Sequence, residues 1–188
     1  MSTTALDVHP ARETDEASLI GRARLGDEHA ADQLVRRYMG DVYAVTVRVL
    51  LDHDLAQDAV QEAFVNALRG LQRFRGDASF RTWLLRIALN AARTIARRQY
   101  QRREVPLEAV QDAPAEVRDA ANVVAMHDEA ARAAAMLERL PEKQRMAVSL
   151  RINQGLSYQE ISVVLDCTEG AARVNYHLGV KRLRELLK

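Results

Sequence analysis

Apolar residues recur every three or four positions through most of the chain, a period that predicts amphipathic helices and an all-α fold. After a leader of small and polar residues (1–14), a first helix capped by Asp15 or Thr14 carries Leu19, Ile20, Ala23 and Leu25 and stops at Gly26. Asp27 opens a second, with Ala30, Leu34, Tyr38, Val42, Val45 and Val49 inward and Gly40 inside it. Asp52-His53-Asp54 breaks the pattern before a third helix to Leu71, whose inward set is Val60, Ala63, Phe64 and Ala67. A turn at Arg75-Gly76-Asp77-Ala78-Ser79 leads into a long helix with Phe80, Leu84, Ile87, Ala91 and Ile95 on one face. Periodicity then lapses over 104–115, which holds two prolines and reads as a linker.

An Ala-rich helix resumes over 116–139 and is broken at Leu140-Pro141, where Pro141 can begin the next helix. That helix carries Met146, Ala147, Leu150 and Ile152 and ends at Gly155. Ser157-Tyr158-Gln159-Glu160 is a capping box at the head of a short helix through Leu165. Asp166-Cys167-Thr168 makes a tight break, and Thr168 can cap a final helix, Glu169 to Leu187, with Ala172, Tyr176, Gly179, Leu183 and Leu186 on its inner side. Helix, short turn and helix with a basic outer face is a helix-turn-helix layout, and the second helix of such a pair enters a major groove. Arg173 and Asn175 would lie nearest the base edges, with His177 between them and the phosphate-facing Lys181 and Arg184.

The polar face of the long helix is unusual. From Arg81 to Arg103 there are seven arginines and no acidic residue. Arg86, Asn90, Arg93 and Arg97 share the side opposite the apolar stripe, with Trp83 at the boundary. A solvated face normally mixes signs at i,i+4 spacing, and this one does not. Guanidinium groups suit phosphate, an amide suits base edges, and an aromatic or a loop pocket suits an unstacked base. Asp54, Asp58, Gln61 and Glu62 gather on the outer side of the third helix as an acidic patch, a kind of patch that is ordinarily just solvated.

Composition sharpens this picture. The 188 residues are 48% hydrophobic and only 5% aromatic, and the formal net charge is +1. That small total hides a segregation: 16 basic against 14 acidic residues over 1–104, 2 against 6 over 105–135, and 9 against 6 over 136–188. Basic, acidic, basic is the order expected of two nucleic-acid-facing modules joined by an acidic connector. The single Cys167 excludes an internal disulfide and suits a reducing cytoplasm, and no run is long and apolar enough to enter a membrane. Cys167 reads as a packing residue and the five histidines lack metal-ligand spacing, so neither a metal nor another cofactor is expected. No nucleotide-binding glycine loop, nucleophile elbow or carboxylate pair argues for catalysis.

Three stretches carry a family resemblance. Asp58-Ala59-Val60-Gln61-Glu62-Ala63-Phe64 resembles the D-x-x-Q-E-x-F core of region 2 of bacterial sigma factors. Phe74-Arg75-Gly76, followed by Thr82-Trp83-Leu84-Leu85-Arg86-Ile87-Ala88-Leu89-Asn90, is similar to the corresponding run of the extracytoplasmic-function (ECF) group. Leu140-Pro141, Arg145 and Gly155 to Ile161 resemble that group's region 4. The resemblance implies two small helical domains, region 2 over 15–103 and region 4 over 136–188, joined by a linker over 104–135.

It also implies roles. Asp58, Gln61 and Glu62 would dock the β′ clamp helices of core RNA polymerase, and region 4 would pack on the β flap. Arg75, Gly76, Asp77, Ser79, Trp83, Arg86, Asn90, Arg93 and Arg97 would bind the minus-ten element, the loop capturing a base flipped from one strand. Thr168, Arg173, Asn175, His177, Lys181 and Arg184 would face the minus-thirty-five element. Promoter DNA, core polymerase and an anti-sigma factor are the implied partners. A linker of twelve extended and twenty helical residues reaches about 70 Å, close to two turns of DNA. In one respect the chain departs from the group: His177-Leu178-Gly179-Val180 stands where members often carry Arg and Ala. The rival readings are a stand-alone helix-turn-helix regulator, which would bind a duplex operator without polymerase, and a helical hydrolase, which would need metal-spaced carboxylates.

Overall fold

A computed structural model describes residues 10–102 and 134–187, so residues 1–9 and most of the expected linker lie outside the described residues. Every regular element described is helical. The order is α1 (Pro10–Arg24), α2 (Glu28–Leu50), α3 (His53–Gly70) with a short 3-10 turn at Leu71–Arg73, and α4 (Phe80–Arg102). A helical turn at 134–138 precedes α5 (Glu142–Ile152), α6 (Tyr158–Leu165) and α7 (Glu169–Leu186).

Most helix starts follow from a side-chain oxygen placed to accept the unpaired N–H groups of the first turn. Asp27 accepts from the Ala30 N–H, a bond that, with the neighbouring Arg22, holds its carboxyl below the usual range. Asp52 accepts from Asp54 and Leu55, Ser79 from Thr82, and Thr168 from Ala171. The Ser157–Glu160 capping box is complete in both directions. The turn between α6 and α7 passes through Asp166 at φ 55°, left-handed backbone that aspartate tolerates better than most residues. One start differs from expectation: α1 begins at Pro10, so the last five residues of the expected leader are helical. Proline is preorganised for the first helical position, and the Ala-Arg-Glu that follows favours helix.

α4 is the centre of the molecule. Phe80, Leu84, Ala91 and Ile95 are buried as expected, but so are Leu85, Ala88, Leu89 and Ala92. The helix is therefore covered on two sides, by α2 and α3 on one and by α6 on the other, while α5 meets α2. Buried residues form one cluster from α1 through α7. Within the second unit α7 crosses α5 closely at Gly179, where an added Cβ would lie 2.7 Å from Val148 Cγ2 and 3.2 Å from the Gln144 carbonyl oxygen. Glycine at this departure from the group's usual pattern is thus a packing requirement. Arg145, 5% exposed, donates to the carbonyls of Glu138 and Leu140 and so ties the turn before α5 to that helix.

Candidate nucleic-acid interface

The loop between the 3-10 turn and α4 is held at both ends and open in the middle. At its start the Arg24 guanidinium donates to the carbonyl of Leu71 at 3.1 Å and to that of Phe74, and lies over the Phe74 ring. Gln72 returns a bond from its amide to the Arg24 carbonyl. Phe74, Phe80 and Trp83 pack with ring centroids 5.1–5.6 Å apart beneath it. At its end Ser79 caps α4 and pairs with the Thr82 hydroxyl at 2.8 Å. Between these anchors Arg75, Gly76 and Asp77 are exposed, and Gly76 adopts φ 79°, which a side chain would resist. Of the residues expected to touch DNA here, Ser79 and Trp83 are occupied in building the loop, while Arg75, Gly76 and Asp77 present it. Arg24 was not singled out by the sequence; forty-seven positions separate it from Leu71, and nothing local marks it.

Along α4 the arginines have found acids that the helix itself lacks. Arg81 pairs with Asp41 of α2 at 2.6 Å and donates to the Gln154 carbonyl beyond α5 at 2.8 Å. Arg86 pairs with Asp166 at 3.0 Å and Arg93 with Glu142 at 2.8 Å, both acids belonging to the second unit. Thr82 lies 3.4 Å from Glu160. Arg98 reaches Glu62 of α3 at 3.5 Å. Asn90 and Arg97 remain exposed. The expected all-positive stripe is therefore bordered and partly neutralised by α5 and the α6–α7 turn, yet it is not sealed: the Arg86 side chain is 45% exposed and that of Asp166 78%.

α7 presents its outer side to solvent. Arg173, His177, Lys181 and Arg184 are exposed, and an open hollow of about 480 Å³ lined by Tyr176, His177, Val180, Lys181, Arg184 and Glu185 runs along its later half. The two side chains expected at base edges are turned elsewhere. Arg173 donates to Glu169 at 2.9 Å and stacks over Tyr158, and Asn175 donates to the Ala171 carbonyl at 2.9 Å. The Thr168 hydroxyl is engaged as the helix cap. On α3, Asp58 and Gln61 are exposed and Glu62 is half-buried against Arg98, with exposed Val65 and Leu68 extending the patch as an apolar margin. Burial raises the Cys167 thiol's pKa, as befits a packing residue. Among the described residues no cluster of His, Cys, Asp or Glu could hold a metal, and no helix is long and apolar enough to cross a membrane.

A pinned loop feeding a cationic helix, with a capped helix-turn-helix behind it, defines a DNA-binding protein built of two modules. The chain belongs to the sigma-70 family of transcription initiation factors, in its ECF group. Residues 34–103 match Sigma-70 region 2 and residues 130–183 match Sigma-70 region 4. It is 36% identical over 168 residues to the ECF RNA polymerase sigma-E factor of Escherichia coli K12, covering 85% of this chain and 87% of that protein. To the RNA polymerase sigma-H factor of Pseudomonas aeruginosa it is 35% identical over 166 residues, 84% of this chain and 86% of the relative. CnrH, solved in complex with the cytosolic domain of CnrY, superposes with a TM-score of 0.69 at 26% identity over 92% of this chain and 97% of its own. RpoE of Bartonella quintana, solved with the anti-sigma factor NepR, shares the fold at a TM-score of 0.65 and 21% identity, over 83% and 95%. The stand-alone regulator is accordingly not the favoured reading.

Proposed function

We propose that this sigma factor directs core RNA polymerase to its promoters with three surfaces, and that the free chain keeps one of them partly neutralised. Region 2, residues 15–103, uses the 74–79 loop and the α4 stripe on the minus-ten element. Arg75 and Asp77 frame an extruded base, Asn90 reads an edge, and Arg86, Arg93 and Arg97 hold phosphates. The observation that carries this reading is the loop itself, fixed at both ends with an exposed glycine-centred tip, at the head of the helix that carries the exposed Asn90 and Arg97. Region 4, residues 136–188, presents α7 to the minus-thirty-five duplex. Asp58 and Gln61, with the apolar margin of Val65 and Leu68, dock the polymerase clamp.

Arg86 and Arg93 each give one donor nitrogen to Asp166 and Glu142, so departure of region 4 from α4 frees both guanidinium groups fully for phosphate. The Arg86–Asp166 pair is exposed and the Arg93–Glu142 pair partly so, and surface pairs of this kind are worth about 1 kcal/mol or less each, weak enough for core polymerase to exchange them for its own contacts. A protein partner of the anti-sigma class would act by holding the same surfaces shut. The chain works in the cytoplasm and is not itself an enzyme, phosphodiester synthesis belonging to the polymerase.

Run-off transcription with purified core polymerase tests the proposal: transcripts should begin at defined sites only when this chain is added. Tight binding of duplex operators by the chain alone, with no effect on initiation, would favour the stand-alone regulator. Arg93→Ala and Asn90→Ala should weaken promoter opening more than core binding, and Asp58→Ala the reverse. Normal clamp docking by Asp58→Ala would remove that residue's role.

A further inference from the structure

The outer side of α7 is unlike an ordinary base-reading surface. The polar side chains in its first turns are engaged within the protein: Arg173 with Glu169 and Tyr158, Asn175 with the Ala171 carbonyl, Thr168 as the cap. Two aliphatic side chains stand outward among the cations. Val174 is 57% exposed and Leu178 46%, one helical turn apart, in the second turn and the middle of the helix. At about 100° per residue Val174 falls beside Lys181, with His177 beyond it, and Leu178 falls between Val174 and Arg182. All three of those neighbours are exposed. Lys181 and Arg182 flank the apolar pair, and the exposed Glu185 on the same face lies two turns beyond Leu178, so the pair itself matches the floor of a major groove between two phosphate chains.

Resting on the assignment of α7 to the minus-thirty-five duplex, we propose that Val174 and Leu178 are specificity residues that select thymine through its 5-methyl group. In the major groove that methyl is the one apolar feature among the base edges, and aliphatic side chains contact it. The two side chains are separated by about 6 Å along the helix axis, which lets them address methyls about two base pairs apart. His177, Lys181, Arg182 and Arg184, all exposed, then supply affinity through phosphate contacts without setting the sequence. Selection by methyl contact explains how a helix with so few available hydrogen-bonding groups at its head can still discriminate. It also gives a purpose to two aliphatic residues that packing does not use.

The experiment uses holoenzyme assembled from this chain and core polymerase, and duplexes of randomised sequence from which the holoenzyme selects its sites. Selected sites are resynthesised with deoxyuridine replacing thymine in the upstream element alone, which removes the methyl and nothing else. Wild-type holoenzyme should enrich T·A pairs upstream and lose about fourfold in affinity for each contacted methyl removed. Val174→Ala and Leu178→Ala, both at exposed helical positions where alanine is well tolerated, should each lose the preference at one of the two methyls, and the double variant should bind thymine and deoxyuridine versions nearly equally. Equal binding of the two versions by wild type would overturn the inference, as would alanine variants that keep the preference. Loss of core polymerase affinity in those variants, with the preference intact, would assign the pair to a protein contact instead. Selection of no upstream element at all would overturn the placement of α7 on duplex DNA, a distinct failure that takes this inference with it.

Discussion

α4 and α7 are the two cationic helices proposed to meet DNA, and they are built in opposite ways. α4 is the central helix, buried along two sides, with acids from other elements drawn up to its arginines. α7 lies at the edge of the second unit, anchored by Ala172 and Gly179, with its outer side open to solvent and partly aliphatic. The difference suits the two tasks proposed for them. A surface that must hold unpaired bases needs a rigid scaffold, and dense packing of α4 provides it. Dense packing also brings α5 and α6 alongside, so the scaffold arrives with its charges partly answered. A helix that enters an intact groove needs only to project, and α7 projects.

The sharpest way to break this comparison is at the loop that α4 supports. Arg24→Ala removes two bonds from a charged donor to loop carbonyls, each worth about 1.5–3 kcal/mol. Promoter opening should fall at least about tenfold with core binding unchanged. Retained opening, measured by permanganate reactivity of unpaired thymines, would show that the loop orders itself on DNA. Next in size, Gly179→Ala should destabilise the α5–α7 unit by about 1–3 kcal/mol, because the added methyl meets Val148 and the Gln144 backbone. A melting temperature equal to wild type would mean that α7 has room to shift.

Glu142→Gln with Asp166→Asn removes the acids that region 4 lends to α4 while sparing every residue assigned to DNA. At about 1 kcal/mol or less per exposed pair, the isolated variant should bind a single-stranded minus-ten oligonucleotide several-fold more tightly than wild type. Unchanged fluorescence anisotropy would show that the remaining contacts, the apolar ones and the Arg81 bond to the Gln154 carbonyl, keep the units together. The smallest effect concerns Asp27, which closes the turn carrying Arg24. Its carboxyl titrates lower in the folded chain, chiefly through the Ala30 N–H, so its contribution is complete above the unfolded value of 3.8 and disappears as pH falls through the folded one. Asp27→Asn should therefore be slightly less stable than wild type at neutral pH and converge on it in acid denaturation.

The helices and caps were legible because their causes are local. Ser157 and Glu160 sit three residues apart, and the inward set of α3 repeats every three or four positions. The second buried side of α4 was harder to see: Ala88 and Ala92 are small enough to pass as neutral filler, and it takes another helix to bury them. The acids opposing the stripe could not be read at all, since Asp41, Glu142 and Asp166 lie 40, 49 and 80 positions from their arginines. Arg24 is invisible for the same reason. In α7 the pattern put Arg173 and Asn175 on promising positions, but the closer claims of Glu169 and the Ala171 carbonyl engage both.

The central claim is that one set of α4 arginines serves region 4 in the free chain and DNA in the working complex. It is tested most directly by the distance between the two units. Fluorophores at Arg36→Cys on α2 and Glu185→Cys on α7, with Cys167→Ser removing the native thiol, report that distance by energy transfer. Transfer should be efficient in the isolated chain and collapse in the holoenzyme on promoter DNA, where the elements lie about 70 Å apart. Equal transfer in both states, with transcription proceeding normally, would contradict the claim.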